Sequence, residues 1–253
     1  MKQHQQPWTR NELILAINLY CKLPFGKMHK GNREVIELAR LIGRTPSSVG
    51  LKLGNFASLD PGLKARGIKG ADHTSKLDKI IWAEFYNNWE EAAFKSEMLL
   101  QAFQDQAIPT AEKDFEEVIG KEKERNVRTR VNQSFFRKAI LASYNYTCCI
   151  TGISQPELLI AGHIMPWSLD EKNRMNPCNG LAMNGLHDKA FEVGLISISP
   201  DYKILISSEL KKNKTEPVQT YFTEYEGREI ILPSKFLPDP EFLKYHNYER
   251  FLG

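Results

Sequence analysis

The sequence has few cysteines, no long apolar run and no internal repeat. Its four cysteines, Cys21, Cys148, Cys149 and Cys178, form no pair of Cys-x-x-Cys motifs, and two of them are adjacent. A disulfide framework and a structural four-cysteine zinc site are therefore not expected; the cysteines read as small buried hydrophobes. No apolar stretch approaches the roughly 20 residues that cross a bilayer. The opening MKQHQQPWTR lacks the apolar segment of a signal peptide, so the expectation is a cytoplasmic protein with no membrane partner.

What is present is an ordinary globular composition, 42% hydrophobic and 26% charged over 253 residues, a length that suggests two compact units. The net charge of +3 hides an uneven distribution. Residues 1–74 carry twelve Lys/Arg against five Asp/Glu, whereas residues 75–120 carry four against ten. A basic head before an acidic segment suggests a polyanion-binding surface, although solvated helix faces give the same count.

Thr9-Arg-Asn-Glu12 has the form of a capping box, and Leu13, Ile14, Ala16, Ile17 and Tyr20 follow at helical spacing, which predicts a helix near residues 9–22. Pro24 and Gly26 break the pattern. Val35, Ile36, Leu38, Ala39, Leu41 and Ile42 mark a second helix ending at Gly43, and Thr45-Pro46 starts a third, with Thr45 as N-cap and Pro46 in the first helical position. The two helices joined by LIGRTPSSV read as a helix-turn-helix, with Val49, Leu53 and Phe56 inward and Arg44, Ser47, Ser48 and Lys52 outward toward DNA. The alternative is a plain three-helix unit that docks on the rest of the chain.

Residues 61–75 are glycine-rich and predict a loop. Ile80, Ile81, Trp82, Phe85, Tyr86 and Trp89, then Phe94, Met98, Leu99 and Phe103, predict two more helices near 75–90 and 91–105 with aromatic cores. The charged run through residues 108–130 reads as a linker, partly helical, in which Arg128 and Arg130 are further candidate DNA contacts. The organisation expected is a helical domain over 1–107, the linker 108–130, and a second domain over 131–253. That second domain should begin with a helix from about Ser134 to Ser143 and a turn at Thr151-Gly152. A compact strand, ELLIAGHI, then delivers His163 at its C-terminal end. Toward the C-terminus, two or three strands and a closing helix near 239–250 are expected.

The stretch AGHIMPWSLDEKNRMNPCNGLAMNGLHDKAF, residues 161–191, holds His163, Asn179 and His187. Taken alone, each has a plain reading: a structural histidine, a turn, a solvated helix residue. In this order, followed by Ala-Phe and Gly194, the segment from about Arg130 to Gly194 resembles the HNH nucleases, in particular the branch found in bacterial restriction endonucleases. The N-terminal WTRNELILAINLYCKLPFGK and GRTPSSVGLKLGNFASLDP are similar to the helical accessory region that often precedes the nuclease there.

The resemblance implies an α+β chain: an all-helical, helix-turn-helix-like N-terminal domain, then a ββα-metal domain with extra C-terminal strands. It implies a metal-dependent endonuclease acting on double-stranded DNA, in a restriction role. Phosphodiester hydrolysis needs a deprotonated water, a cation against the transition-state charge and help for the departing oxygen. The roles implied are His163 as general base, Asn179 as the residue that holds loop and base in place, and His187 as a ligand of a single Mg²⁺ or Mn²⁺ ion. Leu181-Ala-Met183 would form the second strand, and Asn184 would cap the helix of His187. A double-strand break needs two such sites, so a homodimer is expected of a cutting enzyme.

Two departures from the family pattern stand out. Many members place Asp or His directly before the base as a second metal ligand; this chain has Gly162, which leaves Asp188 or Glu192 on the following helix, or else water or substrate phosphate, to fill that place. Many also carry a zinc ribbon, whereas here the core around Cys148, Ile150 and Phe191 must brace the fold. Gly162 keeps a different class in view, a DNA-binding regulator on a catalytically inactive HNH-like fold. RNA is a third substrate reading.

Overall fold

The computed structural model describes residues 6–68, 74–107, 121–170 and 172–253. Residues 69–73 of the expected loop and 108–120 of the expected linker lie outside the described residues. The chain is α+β and divides into two compact units, residues 1–135 and 136–253.

The first unit is helical. Helices α1 (Arg10–Lys22), α2 (Arg33–Leu41), α3 (Pro46–Ala57), α4 (Pro61–Ala65), α5 (Lys76–Asn87) and α6 (Trp89–Ala107) follow in order, and α7 (Lys121–Ser143) crosses the unit boundary. Two caps are those that the sequence predicts: Thr9 and Glu12 close a capping box, and Thr45 caps α3 with Pro46 at its start; Ser75 with Asp78 forms a second box beyond those expectations. Helix α1 packs on α2, α3, α5 and α6, burying Leu13, Ala16, Ile17 and Tyr20. Val49, Leu53 and Phe56 are fully buried, as the periodicity of α3 requires. Tyr20, Phe56 and Trp82 meet as an aromatic cluster, while Ile80 and Tyr86 point outward.

Two outward-facing expectations are corrected. Lys52 is only 7% exposed, and its ammonium lies 2.9 Å from both carboxylate oxygens of the fully buried Asp78. Arg44 is drawn back onto the N-terminal segment: Nε and one terminal nitrogen donate to the Glu12 carboxylate, and the guanidinium also donates to the carbonyls of Gln6 and Pro7 and covers the Trp8 ring. Periodicity places a long side chain on a helix face, but a buried carboxylate on a later helix decides where its charged end goes. Ser47 is exposed and Ser48 half-buried. Arg128 pairs with Glu91 and covers Phe94, while Arg130 is exposed.

Helix α7 begins at Lys121, well before the expected Ser134. After Gly120 the segment KEKERNVRTR holds mostly good helix formers and no Gly or Pro, so the helix extends through charged sequence.

In the second unit, β1 (Leu159–His163) and β2 (Gly180–Asn184) pair antiparallel, with Leu159 opposite Asn184 and His163 opposite Gly180. Helix α8 (Gly185–Glu192) follows β2 directly, its first N–H groups capped by Asn184. A second pair, β3 (Ile196–Ile198) and β4 (Ile204–Ile206), comes next. Then α9 (Ser208–Lys212), α10 (Glu216–Tyr221) and α11 (Pro240–Glu249) complete the unit. The segment read as a further strand around GREIILP makes a single bridge, Lys203 to Glu229. Cys148, Ile150 and Phe191 are buried, with the Cys148 sulfur accepting from the Asn184 backbone N–H.

Gly194 ends α8 at φ +76°, with Gly194 N–H donating to Phe191 and Leu195 N–H reaching back to the Ala190 carbonyl. A Cβ there would lie 2.0 Å from the Arg250 carbonyl oxygen, a backbone atom that cannot swing aside. Gly194→Ala is therefore expected to cost at least about 2 kcal/mol, from positive-φ strain plus overlap, read as a lower urea midpoint.

His246, which has no motif around it, is structural. It is 2% exposed, lies flat on Phe191 at 3.7 Å between ring centroids, donates from Nε2 to the Phe191 carbonyl and meets the Ser197 hydroxyl at 2.7 Å. Burial depresses its pKa to about 4. The unfolded chain, with a histidine pKa near 6.5, then binds the proton first, so stability is full above that value and falls as pH drops toward 4. A loss of about 2 kcal/mol between pH 7 and 5 is expected from this group in urea titrations, and His246→Gln should flatten the profile.

Candidate active site

His163 closes β1, and cross-strand pairing puts Gly180 directly opposite it on the same face. Gly180 has no side chain because α7 needs the space: a Cβ would stand 2.3 Å from Ile140 Cδ1 and 2.8 Å from Phe136 Cζ. Through that gap Phe136 reaches the sheet and lies parallel on the His163 imidazole, 4.0 Å between centroids, while Trp167 presents its edge at 5.5 Å. The ring is thus clamped in one orientation.

His163 Nε2 lies 2.8 Å from the Arg174 carbonyl oxygen. A carbonyl only accepts, so Nε2 carries the proton and Nδ1 keeps its lone pair. Among the described residues Nδ1 has no hydrogen-bond partner. Burial lowers the pKa from the usual value, which keeps the ring neutral near pH 7.

Asn179 is buried and ties down the loop between the strands. Its Oδ1 accepts from Met165 N–H at 2.8 Å, and its Nδ2 donates to the carbonyls of Met165 and Asn173 at 3.2 and 3.3 Å. The Asn179 carbonyl also receives the Ile164 N–H. Because Arg174 follows Asn173, the same amide that fixes the loop fixes the carbonyl that orients His163. Arg174 returns over Trp167 and donates to its carbonyl, closing the loop on itself.

His187 is placed differently from the expectation. It is 1% exposed; Nε2 donates to the Tyr221 carbonyl at 2.7 Å, and Nδ1 accepts from Asn184 Nδ2 at 2.9 Å. Phe222 and Tyr225 pack against the ring. Both nitrogens are thereby occupied, and the residue ties α8 to the segment after α10. Asp188, its neighbour, is half-buried over the opposite face of β1 from His163, against Gly162. Burial pushes its carboxyl pKa up, and Glu192 adds to the rise. Glu192 itself is exposed and pairs with Lys189.

Among the described residues no group of three or more His, Cys, Asp or Glu side chains is placed to share a metal ion. The residues that do fit a hard cation are fewer. A carboxylate at Asp188 stands in the space that a side chain at 162 would fill, and Mg²⁺-type ions bind through one or two carboxylates plus water and phosphate.

The parts that periodicity and motif did not signal are Phe136, Trp167, Gly180 as a gap, and the Arg174 carbonyl. A backbone carbonyl leaves no mark on a sequence; Gly180 stood in the Asn-Gly-Leu motif but read as a turn.

No helix among the described residues is long and apolar enough to cross a membrane. No curated protein matches the chain. Residues 148–199 match the family model described as HNH endonuclease, a span that contains both strands, the loop, His163, Asn179 and all of α8. An HNH endonuclease domain suggests nuclease activity on DNA, and nucleases of this kind generally use a divalent metal ion. Its strand–loop–strand–helix segment is thus similar to an HNH endonuclease domain, over residues 148–199.

Proposed function

We propose that the protein is a divalent-metal-dependent DNA endonuclease acting in restriction of foreign DNA, with His163 as general base. The observation that carries this reading is the clamped, neutral His163, whose Nε2 is committed to the Arg174 carbonyl while Nδ1 is left to take a proton. As Nδ1 removes a proton from water, the water oxygen bonds to phosphorus and the bond to the 3′ oxygen breaks. The departing oxygen takes a proton from solvent. The Arg174 carbonyl holds the imidazolium so formed. A bound divalent ion, with Asp188 as its protein ligand, would offset charge on the scissile phosphate. Asn179 keeps loop and base in register.

The helical domain, 1–107, supplies DNA binding and target choice in this reading, with 108–130 as connection and 131–253 as nuclease. Its support is the basic excess of residues 1–74 and the resemblance to accessory regions of restriction enzymes. With Arg44 and Lys52 engaged internally, DNA contact falls to Ser47 and Ser48 on α3, to exposed cations such as Lys27 and Lys30, and to Arg130 on α7. A homodimer would bring the two sites that a double-strand break needs. The test is incubation of plasmid, methylated and unmodified, with the protein and Mg²⁺ or Mn²⁺. Absence of cleavage on every substrate would sink the enzyme reading and favour a DNA-binding regulator.

A further inference from the structure

Gly162 lies on the face of β1 opposite His163, and the pleat turns it toward α8. An ideal Cβ at this position would lie 2.3 Å from Asp188 Oδ1 and 3.2 Å from Met183 Cε. The Asp188 carboxylate, the free end of its side chain, therefore occupies the volume where a side chain on residue 162 would begin, and it would have to swing aside to admit one. Met183 closes one side of this gap. No hydrogen bond or ion pair engages the Asp188 carboxylate among the described residues, although Glu192 on the same helix is paired with Lys189. A half-buried carboxylate without a hydrogen-bond donor is costly to keep, and a bound cation offsets that cost.

We propose that Asp188, reaching from α8 into the gap over Gly162, is the sole protein carboxylate that holds the divalent ion, and that DNA phosphate and water complete its coordination. The ligand has in effect moved from strand to helix: a side chain on 162 and the Asp188 carboxylate compete for the same volume, His187 has both nitrogens occupied, and Glu192 is paired with Lys189. With one protein carboxylate, the ion binds weakly to the free protein and more tightly once DNA is present. This inference rests on the nuclease reading for the identity of the phosphate donor, and its test does not depend on cleavage.

The test uses Mn²⁺ as probe, its bound fraction read by electron paramagnetic resonance in the full-length His163→Ala protein, with and without a DNA duplex. DNA is expected to tighten Mn²⁺ binding at least about tenfold, and Asp188→Asn, nearly the same in shape, to weaken it by about tenfold or more while the far-ultraviolet circular dichroism is unchanged. Gly162→Asp combined with Asp188→Ala returns a carboxylate to the same gap and is expected to recover most of the binding. Equal Mn²⁺ affinity in Asp188→Asn and its parent would overturn the proposal, as would no Mn²⁺ binding by the parent. Loss in Asp188→Asn without recovery in the exchanged pair would overturn the placement over Gly162. Should the wild type cut no DNA yet bind Mn²⁺ through Asp188, the nuclease reading fails and the ion site stands.

Discussion

Replacing His163 by alanine is expected to lower DNA cleavage by about 10²–10⁴-fold, the range that a positioned general base supplies. The ring's neighbours make the prediction specific. Phe136 and Trp167 hold the imidazole from two sides and the Arg174 carbonyl fixes its tautomer, so only Nδ1 can act on water. Alanine removes that nitrogen and leaves the Arg174 carbonyl to solvent, while the strand register, set by backbone pairing of Leu159–His163 with Gly180–Asn184, persists. Unchanged far-ultraviolet circular dichroism beside the lost rate would separate chemistry from folding. The pH profile carries a second check. Burial pulls the His163 pKa below its usual value, so the base stays deprotonated into mildly acid solution and the acid limb of the rate should fall below pH 6.5. An acid limb well above that value, or cleavage surviving His163→Ala, would remove His163 from the base role.

A large loss of stability is expected from Lys52→Met. The Lys52 ammonium sits 2.9 Å from both oxygens of Asp78, a residue with no exposed surface, and Asn55 and the Ser75 backbone N–H also donate to that carboxylate. Methionine keeps the apolar stem and deletes the charge, stranding a buried carboxylate; the usual cost is about 3–5 kcal/mol. Thermal unfolding should then begin roughly 10 °C lower, at about 2–4 °C per kcal/mol for a chain of this size. Asp78→Ala should cost at least as much, because Asp78 also completes the capping box of α5. A change below about 1 kcal/mol in Lys52→Met would mean that Asp78 does not depend on this partner.

The same pair shows where sequence patterns stop. Positions 49, 53 and 56 of α3 repeat at helical spacing, and all three are buried. Lys52 lies beside Leu53 and Val49 on that helix, and its type alone points outward. What reverses this is Asp78, on a helix 26 residues later, whose carboxylate needs a cation once it is enclosed. Arg44 was pulled in for a related reason: Glu12 serves as capping carboxylate and as ion-pair partner at once. Charge counts over residues 1–74 see neither pairing.

In the second unit the order His163, Asn179, His187 was legible because strand end, loop and helix follow one another locally. Asn179 makes three side-chain hydrogen bonds to the loop backbone. His187 stands on the expected helix, yet the Tyr221 carbonyl, 34 residues on, takes the nitrogen that a metal would have used. Spacing can place a residue on an element, but it cannot say which distant backbone group will reach its side chain.

By itself, then, the sequence determined helices α1, α2, α3, α5, α6 and α8 with the Thr9 and Thr45 caps, the buried stripes of α1 and α3, and the strand–loop–strand–helix order of the family segment, because each depends on neighbours within a few turns of chain. Only the tertiary structure decided the rest. It paired Lys52 with Asp78, closed both nitrogens of His187, aimed Nδ1 of His163 by way of a backbone carbonyl, and set the Asp188 carboxylate in the gap that Gly162 leaves. Each of these joins groups brought together by packing, and the cost of burying a charge or a polar atom without a partner is settled only where the chain folds back on itself.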